Sequence, residues 1–342
     1  MILALILMVM LAVSVLMNLG SLASGFVPPT RTVASHVAGP RFDEVIREDN
    51  GARNKIAILD VQGIIFSGAG DGTYSMVDVL RAQLKQAATD SHVKAVILRI
   101  DSPGGEVLAS DEIYRAIQSF QEKSGKPVIA SMGSVAASGG YYVAAPCRWI
   151  VANELTITGS IGVIMNTWNY RHLMDKVGVV PFTFKSGQFK DMLSGQKPPE
   201  DITDKEKQMI QALIDETYGR FKSVVAEGRS GASKTNQDKA KNRTLISDWS
   251  DYADGRILSG TEALRIGLVD ELGNFESAVA RARDLGKTGR ANLIQYQMRY
   301  DFADFFRLFG STDAKSVKVE VGLEMPKLQA GKLYFIAPNL VR

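Results

Sequence analysis

An α/β fold with a largely parallel, buried sheet is predicted by three observations. Short apolar runs, Lys55–Val61 (KIAILDV), Val93–Ile100 (VKAVILRI) and Pro127–Met132 (PVIASM), alternate with stretches whose apolar residues recur at helical spacing. The runs are nearly continuous in apolar character, as strands covered on both faces must be. Two of them lead into loops of small residues, Asp101–Gly105 (DSPGG) and Ser134–Tyr142 (SVAASGGYY).

The first element is Met1–Phe26, which has no charged residue and is about the length of one membrane span. It reads as a retained transmembrane anchor. Ser21-Leu22-Ala23 resembles a signal cleavage site, but the basic start and shorter apolar core of a signal peptide are missing. Without that basic start, charge leaves the orientation open. Residues 27–54 contain Pro28, Pro29 and Pro40 without a sustained period and read as a linker. The folded domain is expected over 55–286, with a C-terminal extension over 287–342.

Within the domain, Met76, Leu80, Leu84 and Ala88 mark a helix after the first strand, and Ile113, Ala116, Ile117 and Phe120 mark another before Pro127. Further strands are expected at Trp149–Ala152, Ile161–Met165 and Pro181–Lys185, with a helix containing His172 and Met174 between the last two. Thr203 and Glu206 are spaced as a capping box for a long helix. Ile210, Leu213, Ile214, Thr217, Phe221 and Val224 lie along its apolar face, and Gly228 is its expected stop. Gly231–Arg243 reads as a polar surface loop, and order resumes at Ile257–Leu272. Beyond Gly286 the pattern weakens, although Tyr300–Phe309 is aromatic-rich and Leu333–Ile336 (LYFI) has strand character.

Composition narrows the chemistry. Charged residues of both signs are interleaved and sum to only +3, which argues against a nucleic-acid partner. The single cysteine, Cys147, cannot form an intramolecular disulfide or build a Cys/His metal cluster. A hydrolytic reading needs neither metal nor cofactor.

Both small-residue loops sit where ligands gather in open α/β sheets, past the carboxyl ends of strands. In SPGG, consecutive glycines let backbone amides approach a reacting group, although a tight turn needs the same residues. In AASGG, Ser138 is placed to present its Oγ beside the first free N–H groups of a helix, although close packing also calls for alanine and glycine. A nucleophilic serine needs a base. His36 lies in the linker, His92 in a polar turn and His172 on an ordinary helix, so lysine is the better partner. Lys190, flanked by Phe189, Met192 and Leu193, has the apolar neighbours that favour a neutral amine. Lys185 and Lys197 are the next candidates.

The SPGG turn, AASGGYY, Thr158–Ile164 (TGSIGVI), Phe184–Leu193 (FKSGQFKDML) and Gly267–Gly273 (GLVDELG) occur in the order and approximate spacing of the signal peptide peptidase A family. The chain resembles the short form of these Ser/Lys proteases of the Clp protease/crotonase superfamily. That resemblance implies a stack of ββα units, Ser138 as nucleophile, Lys190 as general base, and Gly105 and Gly139 as oxyanion-hole donors. It also implies Ser160 as a hydroxyl holding the lysine. Glu106 stands where many relatives have glycine. A homo-oligomeric ring, a dyad completed between subunits, and peptide substrates at the outer face of a bacterial inner membrane follow from the same resemblance. Two other functions fit the scaffold: a crotonase-type acyl-CoA enzyme, which would use placed carboxylates, and a catalytically silent membrane scaffold. Small or apolar side chains are expected beside the scissile bond.

Overall fold

The computed structural model describes residues 39–68, 74–237, 239–299 and 333–337. The expected anchor at Met1–Phe26 and the aromatic stretch Tyr300–Phe309 lie outside the described residues, among which no helix is long and apolar enough to cross a membrane. The chain runs β1 (Phe42–Glu48), β2 (Lys55–Gln62), α1 (Met76–Thr89), β3 (Val93–Ser102), β4 (Gly104–Glu106), α2 (Val107–Ser124), β5 (Val128–Ala136) and α3 (Gly139–Ala144). It continues through β6 (Trp149–Ala152), β7 (Ile157–Gly159), α4 (Arg171–Lys176), α5 (Asp204–Thr235), β8 (Ile257–Ser259), α6 (Gly260–Ile266), β9 (Glu271–Leu272), α7 (Phe275–Leu285), β10 (Asn292–Met298) and β11 (Tyr334–Ile336).

The main sheet has the order β1-β10-β2-β3-β5-β6-β9, and β7 and β8 extend it from β5. The β10-β2, β2-β3, β3-β5, β5-β6 and β6-β9 pairs are parallel, whereas β1 closes one edge antiparallel to β10. The apolar runs are continuous because both faces are covered. Ala57, Leu59, Val96 and Leu98 pack with Leu80, Ile113 and Ile117 of α1 and α2. Their neighbours Ile56, Ile58, Ala95 and Ile97 pack on the other face with Ala278, Val279 and Ala282 of α7. At about 1.5–3 kcal/mol per fully buried aliphatic side chain, these two layers dominate the stabilisation of the body.

Several expectations need correction. Residues 42–48 are the edge strand β1, part of the stretch read as linker, and β10 lies inside the sheet although it belongs to the expected extension. The alternating, largely exposed FDEVIRE pattern of β1 becomes a strand only because Asn292–Met298 supplies its partner. The long helix does not stop at Gly228 but continues to Thr235. A Cβ at 228 would come within 2.3 Å of the Ala145 carbonyl oxygen, so this glycine permits close helix approach. Pro181–Lys185 is not a strand, and Ile161–Met165 contributes only a bridge from Ile164 to Tyr334.

The GLVDELG motif is explained by an ion pair. Asp270 and Arg229 are both at least 98% buried and are joined through Nη2 and Oδ2, while Arg229 Nη1 donates to the Cys147 carbonyl at 3.1 Å. Asp270 also accepts the Ile150 amide at 2.8 Å, tying α5 to β6 and to the loop before β9. Burial pushes the Asp270 carboxyl up from its ordinary range, and the guanidinium opposes that rise. Asp270→Asn keeps an acceptor for Ile150 but strands the Arg229 charge, so it is expected to cost about 3–5 kcal/mol. The double variant Arg229→Met/Asp270→Asn should lose less than the single one; urea denaturation of the three proteins measures the difference.

Candidate active site

The last rung between parallel neighbours β3 and β5 pairs Ser102 with Ala136, and the Ala137 amide donates to the Ser102 carbonyl at 3.1 Å. The SPGG and AASGG loops therefore leave the sheet side by side. Gly104 turns the chain at φ +101°, with its amide donating to Ser102 Oγ at 3.1 Å. Its carbonyl accepts from Ile65 N–H at 2.9 Å, and the Ile65 carbonyl accepts from Glu106 N–H at 2.8 Å. A Cβ at Gly105 would lie 1.9 Å from that Ile65 oxygen, so β4 can run here only with glycine at this position.

Ser138 is the residue immediately before α3 and is held at φ 53°, ψ −117°. A non-glycine residue at such a backbone costs on the order of 1–3 kcal/mol, which the surroundings must offset. Its amide donates to the Gly159 carbonyl and its carbonyl accepts the Tyr142 amide, both at 2.8 Å. The side chain is fully buried, and Ser138 Oγ has no hydrogen-bond partner. Next to it, a Cβ on Gly139 would lie 3.0 Å from the Gly105 amide nitrogen, and one on Gly140 would lie 2.6 Å from the Ser102 carbonyl oxygen. The backbones of Gly105 and Gly139 thus converge beside the serine. Tyr142 faces Phe221 of α5 at 4.9 Å between ring centroids, and its hydroxyl donates to Asp111 Oδ1 at 2.7 Å. These rings are fully buried and pack together in the core.

The sequence profile of peptidase family S49 matches residues 120–288, and that of Clp protease matches residues 49–151. Over 228 residues the chain is 43% identical to a Synechocystis sp. protein named as a protease, covering 66% of this chain and 72% of that one. It is 36% identical over 254 residues to an Enterococcus faecium protein bearing the name signal peptide peptidase SppA, covering 73% and 69% of the two chains. Protease 4 of Haemophilus influenzae is 37% identical over 245 residues, which is 71% of this chain but 36% of that larger protein. The chain belongs to peptidase family S49. It is a serine peptidase with a mixed α/β fold and a large, mostly parallel sheet.

The other expected site residues of this S49 peptidase divide into two groups. Ser160 lies near Ser138 in the chain path: it follows Gly159, is nearly buried, has φ 50°, and donates its amide to the Arg256 carbonyl at 2.7 Å. Lys190 is not brought to the serine within one chain. It is exposed in a turn, its amide donating to the Gly187 carbonyl at 3.2 Å, within residues 162–205, none of which is buried. Within one chain it is not bonded to Ser138 Oγ, and the desolvated environment expected from Phe189, Met192 and Leu193 is not present. The alternative lysines are already engaged, Lys185 with Asp191 at 2.6 Å and Lys197 with Glu206 at 2.7 Å. The hydrogen bond to Glu206 raises the Lys197 ammonium pKa further, opposite to what a base requires. His92 and His172 sit beside Asp90 and Asp175 on the surface.

Three features escaped the sequence reading. Ser102 joins both loops through its side chain and carbonyl. Glu106 is nearly buried and accepts the Ser67 amide at 2.8 Å as well as the Ser67 hydroxyl, so it fastens a neighbouring loop. Tyr142 and Phe221 pack ring against ring although 79 positions separate them. The sequence marked the SPGG turn, Glu106 and the AASGGYY motif, but not these contacts. Ser102→Ala removes the acceptor of a buried amide and is expected to destabilise the protein by about 1–3 kcal/mol. It should also lower kcat for peptide hydrolysis, since Gly104 directly precedes the Gly105 amide; urea denaturation and steady-state kinetics check the two effects.

Proposed function

We infer that this chain is a membrane-anchored endopeptidase of the signal peptide peptidase A type, with Ser138 as nucleophile and Lys190 as general base. The observation that carries the reading is the convergence of the strained, buried Ser138 with the Gly105 and Gly139 backbones at the carboxyl ends of two parallel strands. Ser138 Oγ attacks the scissile carbonyl, neutral Lys190 takes its proton, and the two glycine amides hold the oxyanion. Loss of the amine leaves an acyl-enzyme, which water hydrolyses. Ser160 orients the lysine. The acyl-CoA reading lacks comparable support, since the site's side chains supply a serine where placed carboxylates would be needed.

The lysine comes from a neighbouring copy. Ser138 Oγ is unpartnered within one chain, while Lys190 rides on an arm that exposes Trp168, Phe182 and Phe184 at 80%, 83% and 96% of their surface. Met209 and Leu213, in the first half of α5, are also exposed. Apolar surface of this kind marks an interface between molecules. A homo-oligomeric ring covers it and carries each Lys190 into an adjacent site, where desolvation favours the neutral amine. Met1–Phe26 anchors the assembly to the inner membrane with its catalytic domain outside the cytoplasm. Residual signal peptides and unfolded apolar segments are the substrates.

Ser138→Ala, Lys190→Ala and Lys190→Arg should each abolish peptide hydrolysis while assembly, followed by light scattering, persists. Arginine keeps the charge but cannot serve as a base. Co-expressed Ser138→Ala and Lys190→Ala chains should recover about a quarter of wild-type activity, because a head-to-tail ring pairs an intact serine with an intact lysine at that frequency. Activity of Lys190→Arg near wild type would remove the lysine from the chemistry, and an inactive mixed assembly would remove the shared dyad.

A further inference from the structure

Thr158 opens the TGSIGVI motif and is fully buried in β7, where its hydroxyl donates to the Ala136 carbonyl at 2.7 Å. The end of β5 has left its regular ladder here. Between the Ile100–Met132 and Ser102–Ala136 rungs, Gly133, Ser134 and Val135 stand opposite Asp101 alone. Such a bulge leaves main-chain groups without ladder partners, and side chains take them over. Thr156 Oγ1 donates to the Gly133 carbonyl at 2.8 Å, Asp101 Oδ1 accepts the Val135 amide at 3.0 Å, and Thr158 takes the Ala136 carbonyl. Asp101 is exposed, so water competes for its place, whereas Thr158 is sealed off from solvent.

A peptide unit is planar, so one bonded at both its carbonyl and its N–H has its plane fixed. Consecutive units lead to and from Ser138. In the first, the Ala136 carbonyl is held by Thr158 at 2.7 Å and the Ala137 amide by the Ser102 carbonyl at 3.1 Å. In the second, the Ala137 carbonyl accepts the Gly140 amide and the Ser138 amide donates to the Gly159 carbonyl, both at 2.8 Å. The third has its carbonyl on the Tyr142 amide, and its N–H is the Gly139 donor of the proposed oxyanion hole. Only two soft dihedrals join one plane to the next, so the positive φ of Ser138 is set by whatever holds these planes. A backbone of this kind persists only where its surroundings over-determine it. All of these bonds join main-chain groups except the one from Thr158.

We propose that Thr158 is a positioning residue for Ser138: by fixing the peptide plane between Ala136 and Ala137, its hydroxyl keeps the serine Oγ aligned with the Gly105 and Gly139 amides. This rests on the reading of Ser138 as nucleophile. Without the hydroxyl, the first plane is held at one end only, and Ser138 is free to relax from its strained backbone. A nucleophile displaced by about 1 Å loses on the order of 100-fold in rate, while contacts that bind the peptide elsewhere are untouched. The TGSIG motif then has two duties, the serine through Thr158 and, on the reading above, the lysine through Ser160.

Thr158→Val fills nearly the same volume without a donor. It should lower kcat for a reporter peptide by about 10- to 100-fold and leave KM within about twofold, the signature of an interaction that matters only in the transition state. Thr158→Ser keeps the hydroxyl and should restore kcat to within about threefold of wild type. Thr156→Val is the control: it removes the bond to the Gly133 carbonyl, outside the pinned units, and should lower the urea midpoint while keeping kcat within about twofold. The pH profile of kcat/KM should keep its wild-type midpoints in every variant, since the base is not touched. If the valine variant fails to fold by circular dichroism, Thr158→Cys takes its place, and its weak S–H donor should still cost at least about fivefold in kcat. A folded valine or cysteine variant with wild-type kcat, an equal loss in Thr158→Ser, or a shifted midpoint overturns the positioning role. Hydrolysis by Ser138→Ala would instead overturn the nucleophile reading on which it rests.

Discussion

The parallel pairing of β3 with β5 is the constraint on which the site depends. Its last rung, Ser102 with Ala136, and the bond from the Ala137 amide to the Ser102 carbonyl bring two loops that are 34 residues apart into register. The sheet interior is buried on both faces, so this edge cannot slide without moving the whole apolar core. Both loops are thereby mounted on a sheet buried on its two faces.

Close approach of backbone to backbone has a conformational cost. Gly104 is turned to a positive φ, Gly105 and Gly140 sit where a methyl group would strike a carbonyl, and Ser138 takes a backbone that favours glycine. The core offsets these local strains. What they produce is a buried hydroxyl next to converging main-chain groups. Glu106 and Ser102 hold the surrounding turn from below and do not need to touch a substrate.

Ser138 Oγ has no hydrogen-bond partner within one chain. Ser138 and the glycines belong to the rigid sheet, whereas Lys190 belongs to an exposed arm rich in uncovered aromatic and aliphatic side chains. On the Ser138/Lys190 reading proposed above, this division would couple activity to assembly. The segment over β4 pairs with that strand's edge and packs Phe335 against Tyr142 and Phe221, both of which would be costly to leave open to water.

Much of the body was legible in the sequence, because a continuous apolar run of Val, Ile and Leu fits a doubly covered strand and the loops after β3 and β5 carry glycines that only close approach requires. The capping box of Thr203 and Glu206 likewise marks a helix start by local chemistry. Long-range pairing was not legible. Strand β1 looks like linker until β10 lies beside it, Gly228 looks like a stop until Ala145 is found against it, and the four residues LYFI have no meaning until Gly105 is opposite Phe335. The neighbours of Lys190 in sequence suggested a buried amine, and the fold of one chain leaves it exposed. Local sequence determined the residue types, turns and periods, since these depend on neighbours a few positions away. Tertiary structure alone decided which backbone edges meet, because hydrogen-bonding groups are the same in every residue and only the packed core selects their partners.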